Sequence, residues 1–514
     1  MSLRPEDIVL VIDFGGQYSH LIARRIRECE VYSELVSWNI SIDQILARKP
    51  KGIVLSGGPA SINDKTAPRC ERALFDLEIP VLGICYGLQL MVDVLGGKVT
   101  RPPTQEYGRT LVSFDERTDL FQGLDGEGVC WMSHADSAET LPEGFEPTAH
   151  SRHAKFAAIR DRRHRMFGVQ FHPEVAHTVK GGEIIRNFLF RIAKCTPTWK
   201  MGSFAKGMVS EIRQKVGDER VLCAVSGGVD STTAAALVNQ AVGNQLTCIF
   251  VNHGLLRRGE PEQVRGILER MKLKTVYVDA SDRFLGRLRG ISDPEEKRRI
   301  IGEEFAKIFT EVAEKHGKFQ WLAQGTLYPD VIESARTGSP ASRIKTHHNV
   351  AGLPGWIEFK LIEPLRSLYK DEVRKVAATI GIPETITARH PFPGPGLAVR
   401  ILGEVTDEKL RICRDASDIV ESELRAEGLY DKVWQAFAVV GDDVAVGVLG
   451  DERKLGHVVT IRIVDSVDGM TADWVRLSND LLSRISNRIT NEVPDVTWVT
   501  YAVSSKPPST IEPC

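Results

Sequence analysis

A chain of 514 residues is too long for a single hydrophobic core and calls for about three domains. With 42% apolar and 26% charged residues it has the make-up of a globular protein in water, and a formal net charge of -2 argues against a general binder of nucleic acid or of a membrane surface. Nine cysteines, at 29, 70, 85, 130, 195, 223, 248, 413 and 514, form no C-x-x-C pair, which disfavours a zinc site and a disulfide framework and suits a reducing cytoplasm; the polar start Met1 to Asp7 and the lack of long apolar runs give no export signal or bilayer span.

The first part alternates strands with helical segments. Ile8 to Ile12 ends at Asp13-Phe14-Gly15-Gly16-Gln17 and is followed by a helix-like segment with Leu21, Ile22 and Ile26. Gly52 to Leu55 ends at Ser56-Gly57-Gly58-Pro59, and Val81 to Ile84 ends at Cys85. Strands this apolar on both faces belong in a covered, mainly parallel sheet whose carboxyl ends line a site. In Gly83-Ile84-Cys85-Tyr86-Gly87 the small residues on either side permit a sharp strand-to-helix elbow, with Cys85 as the exposed nucleophile at a helix N-terminus. Cys223 and Cys248, on apolar strands, read instead as buried structural thiols. Met166 to Phe171 finishes at His172-Pro173-Glu174; two residues apart on an extended chain, His172 and Glu174 project to one side, so the carboxylate can orient an imidazole facing Cys85. A solitary His at a strand end reads as structural. The elbow, His-Pro-Glu and Gly57-Gly58 in one sheet pattern point to nucleophilic catalysis.

These three separated motifs resemble the class I glutamine amidotransferases, over residues 7 to 195. The resemblance implies that Cys85 attacks the glutamine side-chain amide, that His172 protonates the departing ammonia, and that Glu174 holds His172. It further implies an oxyanion hole from the N–H groups of Gly58 and Tyr86, with Gln89, Ser133 and His134 as glutamine-holding positions.

At Cys195-Thr196-Pro197-Thr198-Trp199 the pattern changes, and this proline-bearing stretch is expected to link a second unit, residues 200 to 390. It opens with a helix-like segment containing Phe204, Met208, Ile212 and Val216. Its strands, Val221 to Val225, Leu246 to Val251, Thr275 to Val278 and Trp321 to Gln324, again alternate with helices and predict a parallel sheet. After the first of them, Ser226-Gly227-Gly228-Val229-Asp230-Ser231 reads as a tight loop at a helix N-terminus, a phosphate cradle. No Lys follows the glycines, so it is not a Walker loop. The six residues resemble the pyrophosphatase loop of enzymes that split ATP between its α and β phosphates. Ile344 to Val350, with two histidines, reads as a mobile lid rather than a metal site, and Pro294 to Arg299 as a solvated helix face. From about 391, helical segments around Leu410 to Leu424 and Trp474 to Ile489 are grouped with strands Val444 to Val448, Val458 to Val464 and Val496 to Thr500, which suggests a small α+β layer, residues 391 to 514.

The order of these motifs, with Thr326 to Ser334, Lys345 to Val350 and His390-Pro391-Phe392-Pro393-Gly394-Pro395-Gly396, resembles the glutamine-hydrolysing GMP synthetase family over essentially the whole chain. The resemblance implies an amidotransferase domain, an adenine nucleotide α-hydrolase-like domain and a dimerisation domain that completes the nucleotide site. By it, Arg298, Lys506 and Glu512 contact xanthosine monophosphate (XMP), Ser226 to Ser231 bind ATP with Mg²⁺, and Asp230 and Lys370 hold pyrophosphate. A homodimer using glutamine, ATP and XMP, with guarded ammonia transfer and no prosthetic group, is expected. The chain closes Pro513-Cys514 where Trp-Glu is usual in the family. Other classes remain: a tRNA-modifying enzyme sharing the loop, for which a basic surface and a cysteine pair are not evident, a catalytically silent amidotransferase-like scaffold, or NAD synthetase and other amidotransferases.

Overall fold

The computed structural model describes residues 6–161, 163, 165–336, 359–449, 452–466 and 471–514; the expected lid, Ile344 to Val350, lies outside them. The chain forms two compact units, Ser2–Phe204 and Ala205–Cys514.

In the first unit the apolar runs become β1 (Ile8–Asp13), followed by α1 (Ser19–Glu28), β2 (Tyr32–Ser37), β3 (Gly52–Leu55) and β4 (Val81–Ile84), followed by α2 (Tyr86–Val94). Further strands are β5 (Lys98–Thr100), β6 (Glu106–Phe114), β7 (Glu127–His134), β8 (Ser137–Thr140), β9 (Glu146–Ser151), β10 (Ala158–Asp161) and β11 (Met166–Val169). Among the described residues the main sheet has nine strands in the order β2-β1-β3-β4-β11-β10-β9-β6-β7, with β5 and β8 paired apart. From β2 to β11 the pairing is parallel, and from β11 to β7 it is antiparallel. The expectation of a mainly parallel sheet therefore holds for the half that carries Cys85 and is corrected for the other half. Strands β1, β3, β4 and β11 are buried along nearly their whole length, as strands covered on both faces must be. The expected linker is tied to this unit: Thr196 N donates to Asp7 Oδ2 (2.7 Å), Trp199 N donates to Glu30 O (2.8 Å), and the Trp199 ring packs on Tyr32.

In the second unit β12 (Val221–Ala224), β13 (Leu246–Asn252), β14 (Thr275–Asp279), β15 (Trp321–Ala323) and β16 (Lys360–Ile362) form a parallel sheet in the order β14-β13-β12-β15-β16. The alanine-rich helix α3 (Val229–Val242) follows β12; its small side chains suit a helix with Ala234, Ala235, Leu237 and Val238 fully buried. Helix α4 (Pro294–His316) starts on an Asp293 cap that accepts from Glu296 N, and α5 begins at Lys370 (Lys370–Thr379). Beyond them lie α6 (Asp407–Ala426), β17 (Gln435–Leu449), β18 (Glu452–Asp465), β19 (Asp473–Trp474), α7 (Asn479–Glu492) and β20 (Val496–Tyr501), with β18 paired to β17, β19 and β20. The helix expected from Trp474 is corrected: Trp474 pairs with Val464 on β18, and Ser478 caps the helix by accepting from Leu481 N. The boundary expected near residue 391 falls inside this unit, where one apolar cluster runs from Leu222 and Ile249 to Ile412 and Ile463.

Candidate functional site

Cys85 sits between β4 and α2 as the residue that caps the helix, with φ 51°. Two close approaches enforce the elbow: a β-carbon on Gly87 would lie 2.3 Å from Leu55 O, and one on Gly83 would lie 2.7 Å from Gly87 C. Tyr86 N–H is one of the first amides of α2, which a helix leaves without an internal acceptor. A β-carbon on Gly57 would come within 3.1 Å of His172 Cε1 and 3.9 Å of Cys85 Cβ, so the Gly57-Gly58 turn borders both groups.

His172 lies past the end of β11, which stops at Val169, and immediately before the turn that begins at Pro173 and Glu174. The pairing survives: His172 Nδ1 is 2.8 Å from Glu174 Oε1, and both side chains are buried. The His172 main chain is pinned on both sides. His172 N donates to Trp131 O (2.9 Å), Thr178 Oγ1 donates to His172 O (2.6 Å), and Trp131 N donates to Thr178 Oγ1 (3.0 Å). Arg25 Nε donates to Glu174 O (2.9 Å), and Tyr18 meets the imidazole edge-on. Burial by itself pulls the imidazole pKa down; the Glu174 carboxylate, then the Cys85 sulfur, more than reverse this and hold His172 well above its usual value. The sulfur, a proton-holding imidazole and its carboxylate are thus gathered beyond the carboxyl ends of the central strands β4 and β11, an arrangement suited to attack on an amide and protonation of its leaving group.

The expected glutamine-holding positions divide. Ser133 offers its carbonyl oxygen, 3.7 Å from Cys85 Sγ. Gln89 and His134 are buried instead around one turn: Gln89 Nε2 donates to Asp136 O (2.6 Å), His134 Nδ1 lies 3.0 Å from the same oxygen, and His134 Nε2 is 3.3 Å from Glu106 Oε2. Both support the wall of the site.

In the second unit the phosphate-type loop runs from the end of β12 into α3, with Gly228 as the residue before the helix. Gly227 has φ +82°, and a β-carbon there would lie 2.3 Å from Val264 Cγ2. Ser226 and Ser231 hydroxyls lie 3.0 Å apart and brace the loop, with Ser231 Oγ accepting from Ser226 N (3.1 Å). Ser226 to Ser231 line a cavity of about 590 Å³, a size suited to a nucleotide, with Lys370, Arg366 and Arg389 supplying positive charge. Lys370 Nζ pairs with Asp230 Oδ2, while Asp230 Oδ1 is buried without a hydrogen-bond partner. A magnesium ion is commonly held by one or two carboxylates together with substrate phosphates, and this orphaned oxygen beside the loop fits that need. Among the described residues no cluster of three or more His, Cys, Asp or Glu offers a self-sufficient metal cage.

Of the three expected XMP contacts, two are drawn to neighbouring points of the C-terminal segment. Arg298, in the first turns of α4, donates to Cys514 O (2.5 Å). Glu512 accepts from Arg400 Nε and Nη2 (3.1 and 3.0 Å) and from Gln435 Nε2 (2.5 Å). Lys506 is anchored elsewhere, its main chain paired with Ala472. Arg400 and Gln435 were not legible from motifs. Their signal is chemical: a fully buried arginine in the apolar stretch Leu397 to Ile401 requires a carboxylate.

A thiol elbow with an imidazole and carboxylate, on a sheet of this topology, defines a class I amidotransferase domain, here joined to a nucleotide-type α/β unit. Residues 10–192 match the family model described as glutamine amidotransferase class-I, and residues 422–513 match the GMP synthase C terminal domain. The chain is 53% identical to the GMP synthase [glutamine-hydrolyzing] of Gloeothece citriformis over 98% of this chain and 95% of that protein. It is 54% identical to the one from a Synechococcus species (98% and 96%) and 55% identical to that of Symbiobacterium thermophilum (98% and 99%). The chain belongs to the glutamine-hydrolysing GMP synthase family.

Proposed function

We propose that this chain makes GMP from XMP, ATP and glutamine. Cys85 Sγ adds to the glutamine amide carbon, the oxyanion is received by Gly58 and Tyr86 N–H, and His172, held by Glu174, gives a proton to the nitrogen as the C–N bond breaks; water then releases glutamate from the thioester. Ser133 receives the glutamine with its carbonyl, and Gln89 and His134 act through the Asp136 turn. In the second unit the Ser226 to Ser231 loop cradles ATP while the xanthine O2 attacks the α-phosphorus and pyrophosphate leaves. Asp230 and Lys370 hold the pyrophosphate, and bound Mg²⁺ screens its charge. Ammonia adds to C2 and AMP departs, giving GMP. Arg298, Lys506 and Glu512 hold XMP, and residues 391–514 complete that site and form a homodimer. Free thiols at all nine cysteines accord with a cytoplasmic setting.

The observation that carries the reading is the coexistence in one chain of the Cys85, His172 and Glu174 constellation and a lysine-free phosphate loop backed by Asp230 and Lys370. The test is Cys85→Ala assayed with XMP, ATP and Mg²⁺. Glutamine-dependent GMP formation should vanish and ammonium-dependent formation survive; equal loss of both, or no pyrophosphate from the native chain, would refute it.

A further inference from the structure

We propose that Gln170 is a further catalytic residue of the thiol site: its side-chain amide donates to Cys85 Sγ, fixes the sulfur for attack and stabilises its negative charge. The inference rests on Cys85 being the nucleophile. Gln170 is fully buried directly after β11, with its main-chain N–H donating to Ala157 O (2.8 Å). An uncharged amide taken this far from water is costly unless its polar atoms are matched. Its Nε2 lies 3.6 Å from Cys85 Sγ, and its Oε1 accepts from Gln89 Nε2 (3.4 Å).

The direction of the amide follows from the chain of donors. Gln89 Nε2 spends one N–H on the Asp136 carbonyl at 2.6 Å and the other on Gln170. Gln170 therefore presents oxygen to Gln89 and nitrogen to the sulfur. The relay starts at a main-chain carbonyl, passes through two buried amides and ends on the reacting atom. Sulfur thus meets a neutral donor from one side and the imidazole of His172 from another, with Ser133 O at 3.7 Å. Since no element of the relay titrates, its support for the anion persists when His172 changes its proton during the cycle.

The test uses the full-length chain with Gln170→Met, which keeps length and loses the donor. A hydrogen bond to a charged group is worth about ten- to a hundred-fold in rate. Glutamine-dependent kcat should fall by about that factor with KM for glutamine little changed, while ammonium-dependent synthesis is retained. The second readout is alkylation of Cys85 by iodoacetamide, followed by peptide mass, in which an S–C bond forms and iodide leaves. The titratable groups beside the sulfur are His172, with Glu174 and Tyr18 behind it, and all three remain in place. The pH profile of alkylation should move upward by about one unit. Gln89→Leu, which removes the orienting donor together with the bond to Asp136 O, should shift the profile the same way by less, and it provides the test if Gln170→Met does not fold. Profiles coincident with the native one in the variants that fold would overturn the proposal, as would a loss of stability without any shift. Because alkylation needs neither ATP nor XMP, failure here is separable from failure of the GMP reading.

Discussion

Cys85 holds a left-handed φ of 51°, a region where a β-carbon is strained and glycine is not. Replacing the nucleophile by alanine removes chemistry and keeps that strain; replacing it by glycine removes both. Cys85→Gly should therefore be more stable than Cys85→Ala by about 1 kcal/mol, read from urea midpoints. An equal midpoint would mean that the elbow is relaxed around its β-carbon. At this scale the sequence is most informative where chemistry demands a rare combination, as in small residues flanking a thiol. It is least informative where a common residue acquires its role from neighbours distant in the chain. Gln170 is the next-to-last residue of the legible run Met166 to Phe171, and nothing local distinguishes it from a solvent-facing glutamine. Gln89, read as a ligand holder, proves to be committed to Asp136 O, which lies 47 positions further on.

Among elements, strands buried on both faces were the legible ones, because their apolar runs have no other explanation. Strands β6, β7 and β9 carry residues such as Arg109, Glu127 and His150 on a half-exposed face, and without neighbours in view such alternation is indistinguishable from loop. The strand expected from Val444 to Val448 is only the end of β17, which begins at Gln435 and carries an irregularity between Val440 and Val444. The loop that carries His390 adds a pH dependence. Burial pushes both His253 and His390 down to about 4. His390 Nε2 faces Tyr430 O at 2.8 Å, and His253 Nδ1 accepts from Leu255 N at 3.2 Å, so each neutral ring is held by one main-chain partner. Above the usual histidine value of about 6.5, folded and unfolded chains are both neutral and the contribution is complete. As pH falls from there towards 4, the unfolded chain takes up protons that the folded one refuses, and stability drops; below 4 the loss levels off. At pH 5 the loss is about 2 kcal/mol for each ring. In urea unfolding at pH 7 and pH 5, His253→Gln should lose about 2 kcal/mol less than the native chain. A difference near zero would place a charged imidazole in the fold.

For the whole molecule, the two α/β units and their chemistry follow from motifs, whereas assembly depends on surfaces that no motif marks. The β17–β18 ribbon shows this. Val446 lies opposite Leu455, and Val444 and Val448 project to the same side two residues away in each direction. These four and Trp498 are 41% to 72% exposed, and Trp498 is fastened to the ribbon by Nε1 donating to Val446 O (3.1 Å). A row of apolar side chains on an edge strand invites pairing unless something covers it. We take the cover to be the same ribbon of a second copy, since a two-fold interface sets a patch against itself and apolar residues repeated every second position are self-complementary. The native chain should then sediment at twice 57.0 kDa. Val446→Lys combined with Leu455→Lys, which sets like charges against each other across the two-fold axis, should shift it to the single-chain mass at micromolar concentration. Both substitutions lie on an exposed face, so urea stability measured where the native chain is also dissociated should change little. A native chain that sediments at 57.0 kDa, or a doubly substituted chain that stays at twice that mass, would remove the ribbon from the interface.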